Sequence, residues 1–258
     1  MEIFMIELKN ISFSYGSHEV LKNISLTLKK GELCALIGKN GCGKTTLSRI
    51  ISRLSEPRCG EMRLDGKAYG EYSGKSFARH ISFFAQKRPT PNMKTADYVA
   101  YGRYPHCDIS FRLSDKDRES VEQAMKLTDT ERFASRNVAS LSGGERQLVY
   151  LAQAAAQDSD HMILDEPTAF MDAVNTFAVT DLLCELSKNG KCVLAVMHDI
   201  PLALKYFSRI LVMSEGEIIY DGDPEGAVGS KSIEKAFGVS CERLENDYIL
   251  RKIQCLEN

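Results

Sequence analysis

The chain of 258 residues is 43% hydrophobic and 26% charged, ordinary proportions for a globular protein of one large α/β domain or two small ones. Lys and Arg number 33 against 35 Asp and Glu, and the net charge of −2 argues against nucleic-acid binding. No apolar run nears the roughly 18–20 residues that span a bilayer, the N-terminal residues carry no signal-peptide stretch, and the eight cysteines form no C-x-x-C pair, which speaks against zinc and for a reducing compartment.

Residues 3–30 alternate apolar and polar at period two (Ile6, Leu8; Ile11, Phe13, Tyr15; Ile24, Leu26, Leu28), which predicts antiparallel strands with one buried face. The apolar run Leu33 to Ile37 then reads as a buried strand. It feeds Gly38-Lys39-Asn40-Gly41-Cys42-Gly43-Lys44-Thr45-Thr46, which fits the pattern G-x-x-x-x-G-K-[ST], and a helical run from Leu47 follows. Glycines let a backbone curl so that successive N–H groups face phosphate oxygens, and a helix N-terminus adds partial positive charge. Lys44 supplies a full charge, and the Thr45 hydroxyl can hold Mg²⁺. A nucleoside triphosphate is the expected ligand; a glycine-rich turn without a ligand is the alternative.

Met62 to Leu64 and Ile81 to Phe84 are further short strands. From about residue 87 the texture changes, with Pro89, Pro91 and Pro105 as breaks and Ser114 capping a helix that runs to about Leu127, Asp117 completing the capping box. Residues 87–140 read as a helical subdomain inserted into an α/β core. Leu141-Ser142-Gly143-Gly144-Glu145 precedes a helical run from Arg146 to Gln157 and forms a second anion-ready helix start, or a plain N-cap.

Strands His161 to Leu164, Cys192 to Met197 and Ile210 to Met213 alternate with helical runs 172–188 and 199–207, the pattern of a parallel sheet with crossover helices. The first of these strands ends in Asp165-Glu166: Asp165 is placed to reach a Mg²⁺ held by Thr45, and Glu166 to orient and deprotonate water. A solvated acidic turn is the alternative. Glu217 to Tyr220 reads as a hairpin return and Ser232 to Phe237 as a last helix, while residues 241–258 carry no signal.

Asn40-Gly41-Cys42-Gly43-Lys44-Thr45-Thr46, Leu141 to Glu145, Leu164-Asp165-Glu166-Pro167-Thr168 and Met197-His198-Asp199 follow one another in an order that resembles the ATP-binding subunit of ABC transporters over about residues 6–238. The resemblance implies a P-loop NTPase core with an N-terminal antiparallel β subdomain and the inserted helical subdomain. It makes 1–258 a single ABC ATPase domain: core in about 1–86 and 141–240, helical part 87–140, tail 241–258. The ligands it implies are ATP and Mg²⁺.

It implies catalytic roles for Glu166, His198, Gln86 and Lys44, and metal contacts from Thr45, Asp165 and Gln86. Gly38, Asn40, Gly41, Cys42, Gly43, Lys44, Thr45 and Thr46 would hold the phosphates, and Tyr15 would stack on adenine unless it is a plain strand aromatic. Two such chains pair head to tail, so Ser142, Gly143 and Gly144 would bind the partner's ATP and Asp172 would cross the seam.

The sequence departs from the family's pattern in three places. Ala169-Phe170-Met171 stands where Ser-Ala-Leu is usual, Glu145 replaces Gln, and Cys42 replaces Ser with a thiol that Lys44 and the helix start could acidify. The stretch Tyr98 to His106, with Gly102-Arg103-Tyr104-Pro105, is similar to ATPases that drive uptake of ferric siderophores, haem or cobalamin. The expected partners are a second copy, an integral membrane permease and, indirectly, an extracytoplasmic substrate-binding protein, with no nucleic acid. The expected location is peripheral, on the cytoplasmic face of the cell membrane. A non-transport ABC-type ATPase, such as an iron–sulfur assembly component, is the alternative.

Overall fold

A computed structural model describes residues 5–107, 112–245 and 247–252. The alternating N-terminal segment forms β1 (Met5–Tyr15) and β2 (His18–Lys29), antiparallel and joined by the tight turn Gly16-Ser17. The apolar run becomes β3 (Leu33–Gly38), and the loop after it enters α1 (Lys44–Ile51). Next come β4 (Cys59–Leu64), β5 (Lys67–Ala68), α2 (Gly74–His80) and β6 (Ile81–Phe84). Strands β2-β1-β4-β5 make a four-stranded antiparallel sheet in that order.

The Pro-punctuated region is helical as expected: α3 (Thr95–Ala100), α4 (Asp115–Leu127) and short 3₁₀ turns, with a single bridge between Lys94 and Asn137. Ser114 and Asp117 close the anticipated capping box on α4. Val99, Val121, Met125 and Phe133 from this region share one apolar cluster with Leu148, Val149 and Leu151 of α5 (Gly143–Ala156). The helical layer is thereby seated on α5, which leads straight into the core.

The remaining elements alternate: β7 (His161–Asp165), α6 (Ala173–Lys188), β8 (Cys192–Val196), α7 (Ile200–Tyr206), β9 (Arg209–Ser214), β10 (Glu217–Gly222), α8 (Pro224–Gly229), α9 (Ser232–Phe237), β11 (Val239–Leu244) and β12 (Asp247–Lys252). The central sheet has the order β10-β9-β3-β8-β7-β6, parallel except for the hairpin edge β10.

Both faces of this sheet are covered, and the strands show why their apolar runs are continuous. Leu33, Ala35 and Ile37 of β3 join the cluster under the helices, while Cys34 and Leu36 join the cluster beneath the antiparallel sheet and α1. Val193 and Ala195 of β8 divide from Cys192, Leu194 and Val196 in the same way. Period-two alternation persists, with both faces apolar.

Of the stretch 241–258, the part within the described residues, up to 252, holds more than the sequence signals: β11 and β12 form a hairpin whose Cys241, Tyr248 and Leu250 pack against the main core. The elements α2 and α8 were likewise not legible, being short and capped by Ser73 and Asp223 without a sustained apolar stripe.

Candidate functional site

The loop between β3 and α1 owes its shape to local chemistry. Gly43 sits at φ +111°, in the left-handed region, and a Cβ there would come 2.8 Å from Leu21 Cδ2. A Cβ on Gly38 would run into the carbonyl of Met213 and the Cys42 sulfur. The loop is therefore wedged against β2 and β9 and takes glycine at these points. No side chain caps α1 and no acidic residue occupies its first turn, so its leading N–H groups face outward with their positive end unneutralised.

Lys44 is buried, and its ammonium donates to the carbonyls of Gly38 (2.6 Å) and Lys39 (3.0 Å). An ammonium has three donors, so one remains for a ligand. Thr45 Oγ1 donates to Asp165 Oδ1 at 3.3 Å, joining the helix start to the end of β7. Asp165 is 1% exposed, and burial pushes its carboxyl above the ordinary range; the Thr45 hydrogen bond and the Lys44 charge oppose this without reversing it.

Glu166 follows at φ +56°, an uncommon conformation for a residue with a side chain, where the chain turns out of the sheet. Its two carboxylate oxygens face different neighbours. Oε1 lies 2.5 Å from His198 Nε2, at the end of β8, and Oε2 accepts from Gln86 Nε2, just past β6. Three neighbouring parallel strands thus send one side chain each to a single point. A parallel sheet brings the carboxyl ends of its strands together at one edge, which is where ligands bind in open α/β folds.

A cavity of about 430 Å³ opens there. Its lining joins Tyr15, Val20, Asn40, Gly41, Gly43 to Thr46, Gln86, Glu166 and His198. Tyr15 is 55% exposed and packs against Phe13 in a T-shaped pair with ring centres 4.8 Å apart. Of the residues singled out in the sequence, Gly38, Cys42 and Asp165 are not part of this lining, and neither are Ser142, Gly143, Gly144 and Asp172.

Ser142, Gly143, Gly144 and Asp172 gather elsewhere. The first turn of α5 differs from the sequence expectation of two free glycines before a helix. Ser142 is the N-cap, its hydroxyl accepting from Glu145 N–H while the Glu145 carboxylate accepts from Ser142 N–H, and both glycines lie inside the first turn. The hydroxyl is therefore engaged, and Gly143 and Gly144 carry the N–H groups with no intrahelical acceptor. Asp172 caps α6 by accepting from Asn175 N–H, and the Asn175 amide would lie 3.6 Å from a Cβ on Gly144. The two helix starts are neighbours.

Cys42 corrects a second expectation. Burial raises its thiol pKa, and the opposing pull of Lys44 is too weak to acidify it. Gln147 had no sequence signal beyond its place on the buried side of α5, yet its amide donates to the carbonyls of Glu166 (3.4 Å) and Pro167 (3.3 Å). It links α5 to the turn that carries Glu166.

Residues 21–169 match the ABC transporter family model. The chain is 37% identical over 235 residues, 90% of its length and 87% of theirs, to the ferric enterobactin transport ATP-binding protein FepC of Escherichia coli (strain K12). It is 36% identical over 239 residues, 92% of its length and 88% of theirs, to the petrobactin import ATP-binding protein FpuD of Bacillus anthracis. Among solved structures, the dimeric structure of the bacterial ABC transporter cassette MJ0796 superposes with a TM-score of 0.76 at 28% identity, covering 85% of this chain and 98% of that one. With its phosphate loop, paired carboxylates and converging Gln86 and His198, the chain belongs to the ATP-binding subunits of the ABC transporter family, the ATPases that couple ATP hydrolysis to transport.

Proposed function

We propose that this chain powers an importer of ferric-siderophore type, as a pair of identical cassettes held on the cytoplasmic face of the cell membrane beneath separate permease subunits. The printed names of its relatives, enterobactin transport and petrobactin import, support the substrate class over haem or cobalamin. Among the described residues no helix is long and apolar enough to cross a membrane, so the path for cargo would belong to the permease. An extracytoplasmic binding protein would deliver the cargo to it. The domain division carries over: one ABC ATPase domain, with a helical part in about 87–140.

One observation carries the reading. The cavity holds the phosphate loop, Glu166, Gln86 and His198, while Gly143 and Gly144, a second set of bare helix-start N–H groups, lie outside it. A two-fold pairing would bring the second set of one chain over the cavity of the other, completing two sites at once. The dimeric MJ0796 cassette supports this arrangement.

Within each site the exposed Tyr15 ring would stack on the adenine, and the loop N–H groups with Lys44 would hold the phosphates. Thr45 and Asp165 present oxygen donors of the kind Mg²⁺ takes. A cation beside the buried Asp165 carboxyl would offset the burial that holds its pKa above the ordinary range, so the donor set fits. When bound, Mg²⁺ would neutralise charge on the phosphate oxygens.

Glu166 would take the proton of the attacking water as its oxygen bonds to the γ-phosphorus and the bond to ADP breaks. His198 and Gln86 each hold one carboxylate oxygen and so set which way the base faces. The rate enhancement would come from position and charge. Splitting the γ-phosphate removes the link across the seam, and the rigid-body opening would move the permease.

The test is co-purification of the chain with a polytopic membrane protein, followed by ATP-dependent uptake of a labelled ferric siderophore into vesicles. Uptake that needs both ATP and the siderophore supports the assignment. A chain that hydrolyses ATP fully while strictly monomeric and free of membrane protein would refute it.

A further inference from the structure

Gln86 lines the cavity, and two positions further on Arg88 reaches back to the strand that precedes it. Arg88 is only partly exposed. Its Nη2 donates to the Phe83 carbonyl at 3.0 Å, inside β6, and its Nη1 donates to Gln153 Oε1 at 3.2 Å, on α5. The guanidinium plane rests 4.5 Å from the centre of the Phe84 ring and 5.6 Å from that of Tyr150, and Tyr98 of α3 is a further hydrogen-bond partner. One side chain therefore ties the end of β6 to α5 and to α3 of the helical layer.

No carboxylate pairs with Arg88 among the described residues, and burial depresses its pKa. A guanidinium withdrawn from water without a counter-charge is costly, and an apolar side chain of similar length would fill the same space at less expense. What an apolar residue cannot supply is the planar fork, with separate N–H groups aimed at a strand carbonyl and a helix amide. The arrangement makes sense as a device for fixing direction.

We propose that Arg88 is a positioning residue: it locks the backbone at Gln86 so that the Gln86 amide stays on Glu166, and it makes that register depend on where α5 lies. The dependence has a consequence. The helix α5 begins next to Ser142, at the end that would face a second chain, and Arg88 grips it about three turns further along. A shift of α5 on pairing or on permease docking would reach Gln86 through this side chain. The proposal rests on the reading of Gln86 and Glu166 as parts of the hydrolytic site.

The test is steady-state Mg-ATP hydrolysis by the full chain carrying Arg88→Met, Arg88→Lys, Gln86→Ala or Arg88→Met with Gln86→Ala, beside a melting curve for each. Arg88→Met keeps a long stem against Phe84 and Tyr150 and removes the fork. It should lower kcat about tenfold or more while KM for ATP stays within about twofold. Arg88→Lys should recover part of the loss, because a point charge reaches one acceptor at a time. The double variant should be no slower than Gln86→Ala alone, since both act through one contact.

An Arg88→Met rate within about twofold of wild type, or multiplying losses in the double variant, would overturn the proposal. Where Arg88→Met does not fold, Arg88→Lys, alone and combined with Gln86→Ala, gives the same cycle. Gln86→Ala with undiminished turnover would sink the role of Gln86 and the clamp with it. A slow Gln86→Ala beside a normal Arg88→Met sinks the clamp alone.

Discussion

His198 Nε2 lies 2.5 Å from Glu166 Oε1, bridging the ends of the adjacent strands β8 and β7. The other oxygen of the same carboxylate is held by Gln86 from the next strand, so Glu166 is steadied on both sides. A base fixed in this way needs little reorganisation when it takes a proton.

Replacing Glu166 by Gln keeps the shape and removes the base. Hydrolysis should fall by a factor on the order of 10² to 10⁴, with ATP affinity retained and an ATP-dependent dimer accumulating. Phosphate release together with size-exclusion chromatography reads both effects. Near-normal turnover would remove Glu166 from the role.

Lys44 donates to Gly38 and Lys39 and keeps one donor in reserve. Lys44→Ala should weaken ATP binding roughly 10- to 100-fold, the range for a charged hydrogen bond of about 1.5–3 kcal/mol. Equilibrium binding of a fluorescent ATP analogue measures this. Unchanged affinity would contradict the placement of the phosphates.

Cys42 is buried with its thiol pKa raised, whereas Cys59 is exposed. Iodoacetamide at neutral pH should label Cys59 well before Cys42, as peptide mass spectrometry would read out. Preferential labelling of Cys42 would restore the reactive-thiol idea that the structure argues against.

Phe170 is 87% exposed at φ +64°, and Val174 on α6 is 77% exposed. Large apolar side chains left in water beside the Asp172 cap fit a seam with a second chain. Phe170→Ser, placed in the Glu166→Gln background, should weaken the ATP-dependent dimer by about tenfold or more, as loss of a buried aromatic contact does, while shifting monomer stability by at most about 0.5 kcal/mol. Sedimentation at several concentrations separates the two effects. An unchanged dimer would place Phe170 outside the seam.

His161 is fully buried in β7, and among the described residues neither ring nitrogen has a hydrogen-bond partner. Burial lowers its pKa to about 4; Asp160 pulls the other way, and His80 and Lys30 add to the depression. The unfolded chain binds a proton below about pH 6.5 that the folded chain refuses. Stability contributed by the neutral ring is complete above pH 6.5 and is lost as pH falls towards 4, by up to about 3 kcal/mol. Urea unfolding at pH 7, 5.5 and 4.5 should show the decline, and His161→Leu should flatten it without loss at pH 7. Equal slopes in the two proteins would assign the decline elsewhere.

What could be read from the sequence was whatever local spacing dictates. The strand, loop and helix around Lys44, the apolar strand ending in Asp165-Glu166 and the capping box at Ser114 each need only neighbours within a few residues to declare their geometry. The hairpin β11–β12 was silent, because its Cys241, Tyr248 and Leu250 are apolar only in relation to a core built by other segments. So was Arg88: a cation among prolines reads as solvated until Phe84, Tyr98, Tyr150 and Gln153 are brought around it. The order of residues determined the shape of the loop before Lys44, since its backbone turns are local. Only the packed sheet decided that Gln86, Glu166 and His198 share one point, because strands far apart in the chain lie adjacent only once their apolar faces are buried together.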